Sequence, residues 1–273
     1  MTRVLSGAVL VAVAVGIVWL APSWLFFATA ELLLLLAFVE YAGLSAACGL
    51  PVPRVPAAVA TMLTAVGVSS TVWLNDSVVG TAVFLDVVLM SGFVVLGSIA
   101  LVSRPGGRID RDTLGRAAAA TFPLLYLGLP MGALISLRAQ RGREALFLLM
   151  LAVMVSDTAQ YYSGRAFGRH LLAPAISPKK TIEGAIGGFV FGAALVGIVG
   201  VWWLPEVPVA IRVALGVAVV ALGIAGDLFE SMLKRSAGVK DSSALIPGHG
   251  GVLDRIDALL FAAPVYYIVL KYL

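Results

Sequence analysis

Nine charged residues lie from Asp227 to Asp257 of a chain in which only 12% of residues are charged. They are Asp227, Glu230, Lys234, Arg235, Lys240, Asp241, Asp254, Arg255 and Asp257, interrupted by Ser231 and the turn-forming Pro247-Gly248-His249-Gly250-Gly251. Carboxylates with no thiolate and few imidazoles are hard oxygen donors, a set that binds Mg²⁺ through one or two carboxylates while substrate phosphates complete the shell. Neighbouring Lys and Arg neutralise phosphate oxygens, Arg through a two-pronged contact and Lys as a point charge. Glycines at 248, 250 and 251 let backbone amides approach a pyrophosphate, and a helix starting after them favours an anion. Together these are the parts of a phosphoryl- or nucleotidyl-transfer site. A solvated loop is the blander reading of so much charge. Against it, Asp227 and Glu230 close one apolar stretch while Asp254, Arg255 and Asp257 open the next, and ionisable groups at such depth are costly unless they line a polar cavity. If the two stretches pair antiparallel, Asp227 and Asp254 approach each other.

A second cluster precedes it. Asp157, Gln160 and Tyr161 lie in an apolar stretch, followed by Gly164-Arg165, Gly168-Arg169 and Ser177-Pro178-Lys179-Lys180-Thr181-Ile182-Glu183-Gly184. Asp157 bears the same burial cost and predicts a cavity. On its own, the Lys179-Lys180 pair suits lipid headgroups at least as well as a bound phosphate.

The elements that must position these residues are set by composition. Hydrophobic residues make up 60% of the 273, and no stretch is polar enough to cover a soluble core. A hydrocarbon layer needs about 20 mainly apolar residues per helix. Windows of that size fall near 4–21, 23–46, 54–74, 77–102, 113–137, 144–163, 184–204, 208–229 and 252–271. The expected architecture is an all-α, polytopic membrane bundle of about nine transmembrane helices, one membrane domain over 1–273. Within it, spans in 1–137 serve as scaffold and lipid access, and 144–273 forms the catalytic part. The run after Arg3 is taken as the first span, since no small-x-small cleavage site stands out.

Lys and Arg favour cytoplasmic connections. An inside N-terminus puts 14 of the 19 on the cytoplasmic face, leaving Arg138, Arg141, Arg143, Arg212 and Lys271 outside. It also brings the connections 164–183 and 230–251 to one face, where cytoplasmic nucleotides are met. The expected location is the cell membrane, multi-pass, with N-terminus and active-site loops cytoplasmic. The net charge of +4 then belongs to a basic surface beside anionic headgroups. Nucleic acid is not an expected partner, because the basic residues are not interleaved with aromatics on a soluble module.

In order, Ser231-x-Leu233-Lys234-Arg235, Lys240-Asp241, Pro247-Gly248-His249-Gly250-Gly251 and Asp254-Arg255-x-Asp257 resemble the signature of the phosphatidate cytidylyltransferases, or CDP-diacylglycerol synthases. Ser177-Pro178-Lys179-Lys180-Thr181-x-Glu183-Gly184 with Gly187-Gly188, and Asp157-x3-Tyr161-x2-Gly164, are similar to that family too, so the motifs cover roughly the C-terminal 40%. Gln160 departs from it, standing where a small residue is expected. The resemblance implies transfer of CMP from CTP to phosphatidate, with Mg²⁺ required, alone or with a second cation, in a helical fold that is often a homodimer. It implies Asp227 and Asp254 as metal ligands, and Lys180, Lys234, Arg235 and Lys240 on phosphates. Lys179, Ser177, Arg255, Gly250 and Gly251 join the phosphate site; Asp241 joins the catalytic group; Asp157, Tyr161, Glu183, Ser231 and Asp257 border the cavity. His249 is the acid–base candidate by residue type, though a structural place in the glycine turn suits it better.

Two alternatives stand beside this. The same chemistry on an ether-linked phosphatidate analogue would use the same headgroup motif. Intramembrane acids also mark transporters, but those predict symmetry between halves, and the first half holds no counterpart of the charged motifs. Glu31, Glu40 and Asp86 fit a cavity, a helix–helix hydrogen bond or a dimer contact. Trp19, Trp24, Trp73, Trp202 and Trp203 read as interfacial anchors, glycines at 184–200 as close helix packing, and Cys48 as a small apolar residue.

Overall fold

The computed structural model describes residues 2–70, 78–102, 112–246, 248 and 250–273. The chain is an all-α membrane bundle. Its helices are α1 (Thr2–Leu20), α2 (Ser23–Ala47), α3 (Arg54–Ser69), α4 (Val78–Val102), α5 (Thr113–Pro123), α6 (Leu129–Phe167), α7 (Ile182–Trp203), α8 (Val209–Ser236) and α9 (Leu253–Lys271). Among the described residues, five stretches are long and apolar enough to cross a membrane: Ser23–Ala47, Ala82–Ala100, Thr113–Phe167, Ile182–Trp203 and Val209–Ser236. The windows at 4–21, 54–74 and 252–271 are helical over their described residues as well, but their helices are shorter or, in α9, carry Asp254, Arg255 and Asp257.

The two spans expected at 113–137 and 144–163 form one run. Pro123 ends the regular α5 ladder, a π-helical turn over Leu124–Gly128 absorbs the missing donor, and α6 follows directly. At 55 residues the run is far too long for one crossing of about 30 Å. Gly142 breaks it, with φ 86° and ψ 171° inside α6. Ala119 meets Tyr41, Arg138 and Arg143 both reach the carbonyls of the α1–α2 turn, and Gln160 lies against Gly184 and Gly188. The chain therefore passes down one limb, reverses at Gly142 and returns along the other.

Packing agrees with residue type. Leu34, Phe38, Leu127, Leu137, Leu148, Leu149 and Tyr266 form a dry centre, while Trp24 and Trp202 are exposed. Trp19 instead meets Trp203 and Phe147 edgewise, with Phe147 and Trp203 tilted against each other; Trp73 lies outside the described residues. Along α7, a Cβ at Gly187 or Gly188 would strike Ser163 or Gln160 of α6, and one at Gly192 would strike Val220 of α8. These glycines do the packing expected of them.

A short hairpin sits at the polar connection 164–183. There β1 (Leu171–Ala173) pairs antiparallel with β2 (Ser177–Thr181). Glu183 pins this hairpin by accepting from the Arg169 and His170 amides at 3.1 and 3.2 Å and by pairing with His170 Nδ1 at 2.6 Å. Thr181 then caps α7 by accepting from Gly184 N at 3.1 Å.

Candidate active site

The C-terminal part of α8 and the start of α9 run side by side because Gly226 leaves no side chain between them; a Cβ there would meet the Asp257 carbonyl and Phe261. That contact sets Asp227 beside Asp257. From α6, Asp157 completes the group, and the three carboxylates lie within one another's electrostatic reach together with Lys180 and Arg255. Lys180, carried on β2, meets Asp227 Oδ2 at 2.5 Å with side-chain exposures of 20% and 34%. Ser231, one helical turn after Asp227, offers its hydroxyl at 3.4 Å, and Gln160 Nε2 donates to Asp157 Oδ1 at 3.1 Å.

One turn further along α8 lies a drier group. Lys234 contacts Glu230 and, at 2.5 Å, Asp254 Oδ1. Glu230 is fully buried and Asp254 nearly so. The other oxygen of Asp254 accepts from Gly251 N at 2.7 Å and from Ser242 N and Oγ at 3.0 and 2.7 Å. A carboxylate taken from water must find donors, and Asp254 has them on both oxygens.

The loop between α8 and α9 is folded tightly. Ile246 N donates to Gly250 O at 2.8 Å, and Gly248 and Gly250 have φ of 77° and 78°, where an L side chain is strained. At Gly250 a Cβ would also meet Asp254 Oδ2. Gly250→Ala should therefore lower specific activity about 10-fold or more by displacing Asp254, in line with losses at residues that orient reacting groups; assay of folded protein checks this. Arg235 Nη1 holds the loop's start through Val239 O at 3.3 Å. Lys179, Lys240, Asp241, Arg255 and Tyr161 are exposed, and Ser177 is half-buried on the hairpin. His249 lies outside the described residues.

The structure thus brings Asp157, Lys180, Asp227, Ser231 and Asp257 to one open cluster and Glu230, Lys234 and Asp254 to a buried one beside it. Glu183 belongs to the hairpin's hinge. The start of α9 differs from expectation: its amides at Gly251, Val252 and Leu253 already donate to Asp254 and Glu40. The anion at this helix end is the protein's own, because the loop's serines and a buried acid reach it first. Sequence reasoning did not single out Ser242 or Ser243, although both directly follow Lys240-Asp241. Beside the buried cluster, Phe122, Tyr126, Phe229 and Phe261 stack at 5.2–5.9 Å, bordering an apolar cleft of about 320 Å³.

The cytidylyltransferase family model matches residues 1–273. The chain belongs to that family. Among curated relatives, it is 48% identical to the phosphatidate cytidylyltransferase of Haemophilus influenzae over 131 residues, 45% of each chain. It is 46% identical to the Pseudomonas aeruginosa enzyme of that name over 176 residues, 58% of this chain and 65% of the other. With the Staphylococcus saprophyticus phosphatidate cytidylyltransferase the match extends over 239 residues, 88% and 87% of the two chains, at 28% identity. The chain spans about half the length of the first curated relatives it matches.

The residues of this cytidylyltransferase-family site suit a divalent cation of one kind. Among the described residues, no three acid, imidazole or thiol side chains could hold an ion by themselves. Asp227, however, is partly open, has two carboxylate neighbours and is paired with Lys180. That is the donor set of an ion that arrives with phosphates and keeps several ligands from them.

Proposed function

We propose that the chain transfers CMP from CTP to phosphatidate, giving CDP-diacylglycerol and pyrophosphate. The observation that carries this is the pairing of Lys180 with Asp227 and of Lys234 with Asp254 at the end of an apolar bundle, in a chain whose relatives include proteins named phosphatidate cytidylyltransferase. Each lysine is a phosphate ligand held ready on a carboxylate.

On this reading the phosphatidate phosphate, already anionic at neutral pH, attacks the α-phosphorus of CTP in line, so no strong general base is required. Bond formation to that oxygen accompanies cleavage of the α–β bridge, and the electron pair leaves with pyrophosphate. Lys180 and Lys234 turn from their carboxylates towards the phosphates, with Arg235, Lys240, Lys179 and Arg255 at the rim. Asp227, with Asp254 or its neighbours, would hold Mg²⁺, alone or with a second cation, and the ion would supply charge neutralisation for the pyrophosphate group. Ser242 and Gly251 keep Asp254 oriented while Lys234 moves. The apolar cleft beside Phe229 and Phe261 offers room for an acyl chain.

The same proposal turns this end of the bundle to the cytoplasm, supported by the Lys and Arg distribution, and pairs the chain as a homodimer, which mass measurement in detergent checks. The test of function is pyrophosphate release by purified protein in detergent–phosphatidate micelles with Mg²⁺. CTP is expected to support turnover, ATP, GTP and UTP are not, and chelation should abolish it. Turnover only with an ether-linked lipid would change the substrate; silence from folded protein with every lipid and nucleotide would sink the reading.

A further inference from the structure

Glu40 lies in α2, 202 residues from the nearest of the partners that hold it. It is 6% exposed, and the three hydrogen bonds it accepts, with a further close contact to a serine hydroxyl, all involve the segment 242–253. Oε1 accepts from Val252 N at 2.9 Å and Ser243 Oγ at 2.7 Å. Oε2 accepts from Leu253 N at 2.7 Å and lies 3.0 Å from Ser242 Oγ.

Two needs meet there. The first amides of a helix have no partner within it, and α9 begins at Leu253 after an N-cap residue, Val252, that makes no side-chain capping hydrogen bond. A carboxylate buried in an apolar span is costly until donors surround it. Glu40 supplies the cap from another helix and is satisfied by doing so. Its approach also requires glycine at 251, where a Cβ would collide with both Glu40 and Ser242. Ser242 Oγ stands between Glu40 Oε2 and Asp254 Oδ2, 2.7 Å from the latter. One hydroxyl therefore links the remote acid to the carboxylate that holds Lys234.

We propose that Glu40 is a positioning residue for cytidylyl transfer: it fixes the α8–α9 loop and, through Ser242 and the start of α9, the orientation of Asp254 and Lys234. This rests on the function proposed above. Glu40 touches no reacting group, so its removal acts on the chemical step and not on substrate affinity.

Glu40→Gln preserves shape but puts an NH₂ where one oxygen was. Both oxygens face a backbone N–H, so either placement sets donor against donor. The expected result is a fall in kcat of about 10- to 100-fold with KM for CTP and phosphatidate within about threefold of wild type. Hydrogen exchange at Val252 and Leu253 should quicken while the middle of α8 keeps its protection. Ser243→Ala, which removes one contact, should cost about 2- to 10-fold in kcat, and decides the matter if Glu40→Gln does not fold. Glu31→Gln is the control: Glu31 is buried on the same helix with neither oxygen hydrogen-bonded, and the loop's exchange should not change. Unchanged kcat, a loss confined to KM, or a loss merely proportional to the folded fraction overturns the proposal. An inactive wild type would overturn the reaction itself, and the exchange data would then decide alone whether Glu40 holds the loop.

Discussion

Lys234→Met should yield a protein that is both inactive and markedly less stable. The substitution keeps the apolar stem and deletes the one ammonium that contacts Glu230 and Asp254. Glu230 is fully buried and Asp254 is only 5% exposed, so both acids lose their counter-charge where water does not reach them. Removing one partner of a buried pair costs about 3–5 kcal/mol. Denaturation in detergent measures it, and a wild-type midpoint would refute the assignment. Turnover should fall about 10³-fold, the upper range for removing one preorganised electrostatic group. Adding Glu230→Gln makes one stranded acid neutral and should recover part of the stability, with no recovery of pyrophosphate release.

Asp227→Asn should separate the two effects. Asp227 and Lys180 are partly exposed, and exposed pairs contribute about 0–1 kcal/mol, so the folded protein should melt close to wild type. The proposed chemistry depends on it more heavily. A lost metal ligand forfeits several kcal/mol of transition-state stabilisation, about 10³-fold in rate. The Mg²⁺ concentration needed for half-maximal rate should rise as well. Full activity with an unaltered Mg²⁺ requirement would remove Asp227 from the metal site.

The contrast reflects two layers. In the upper layer, Asp157, Asp227 and Asp257 face one another with Lys180 and Arg255 close by, an excess of like charge that substrates and a cation would relieve. In the lower layer, Asp254 is held by protein donors on both oxygens, and the buried Glu230 has the Lys234 ammonium as its counter-charge. The glycine loop and Glu40 set the position of that lower layer. Activity is expected to depend on both layers, stability chiefly on the lower.

Much of this was legible in residue type. Charge between Asp227 and Asp257 is conspicuous because an apolar span tolerates none without a cause, and that cost is local to each residue. Membrane helices follow from composition for the same reason. Gly248 and Gly250 sit in a turn that only glycine enters freely. The expectation that Asp227 and Asp254 converge was right in bringing α8 and α9 together. It did not distinguish Asp254, held by protein donors, from Asp257, which Gly226 sets beside Asp227.

Other features depend on approach between distant segments. Periodicity makes Glu40 merely an acid in an apolar helix, with a cavity, a helix contact and a dimer contact all open; only packing of α2 against the start of α9 shows which applies. Nothing in Lys180 itself indicates Asp227, because their pairing requires the β1–β2 hairpin, and no motif announces the reversal at Gly142. The sequence alone determined the solvent, the helical class and the residue types of the site, since each is a matter of what single residues cost in a membrane. The tertiary structure decided which carboxylate meets which cation and what caps α9, because those energies exist only once separate helices are in contact.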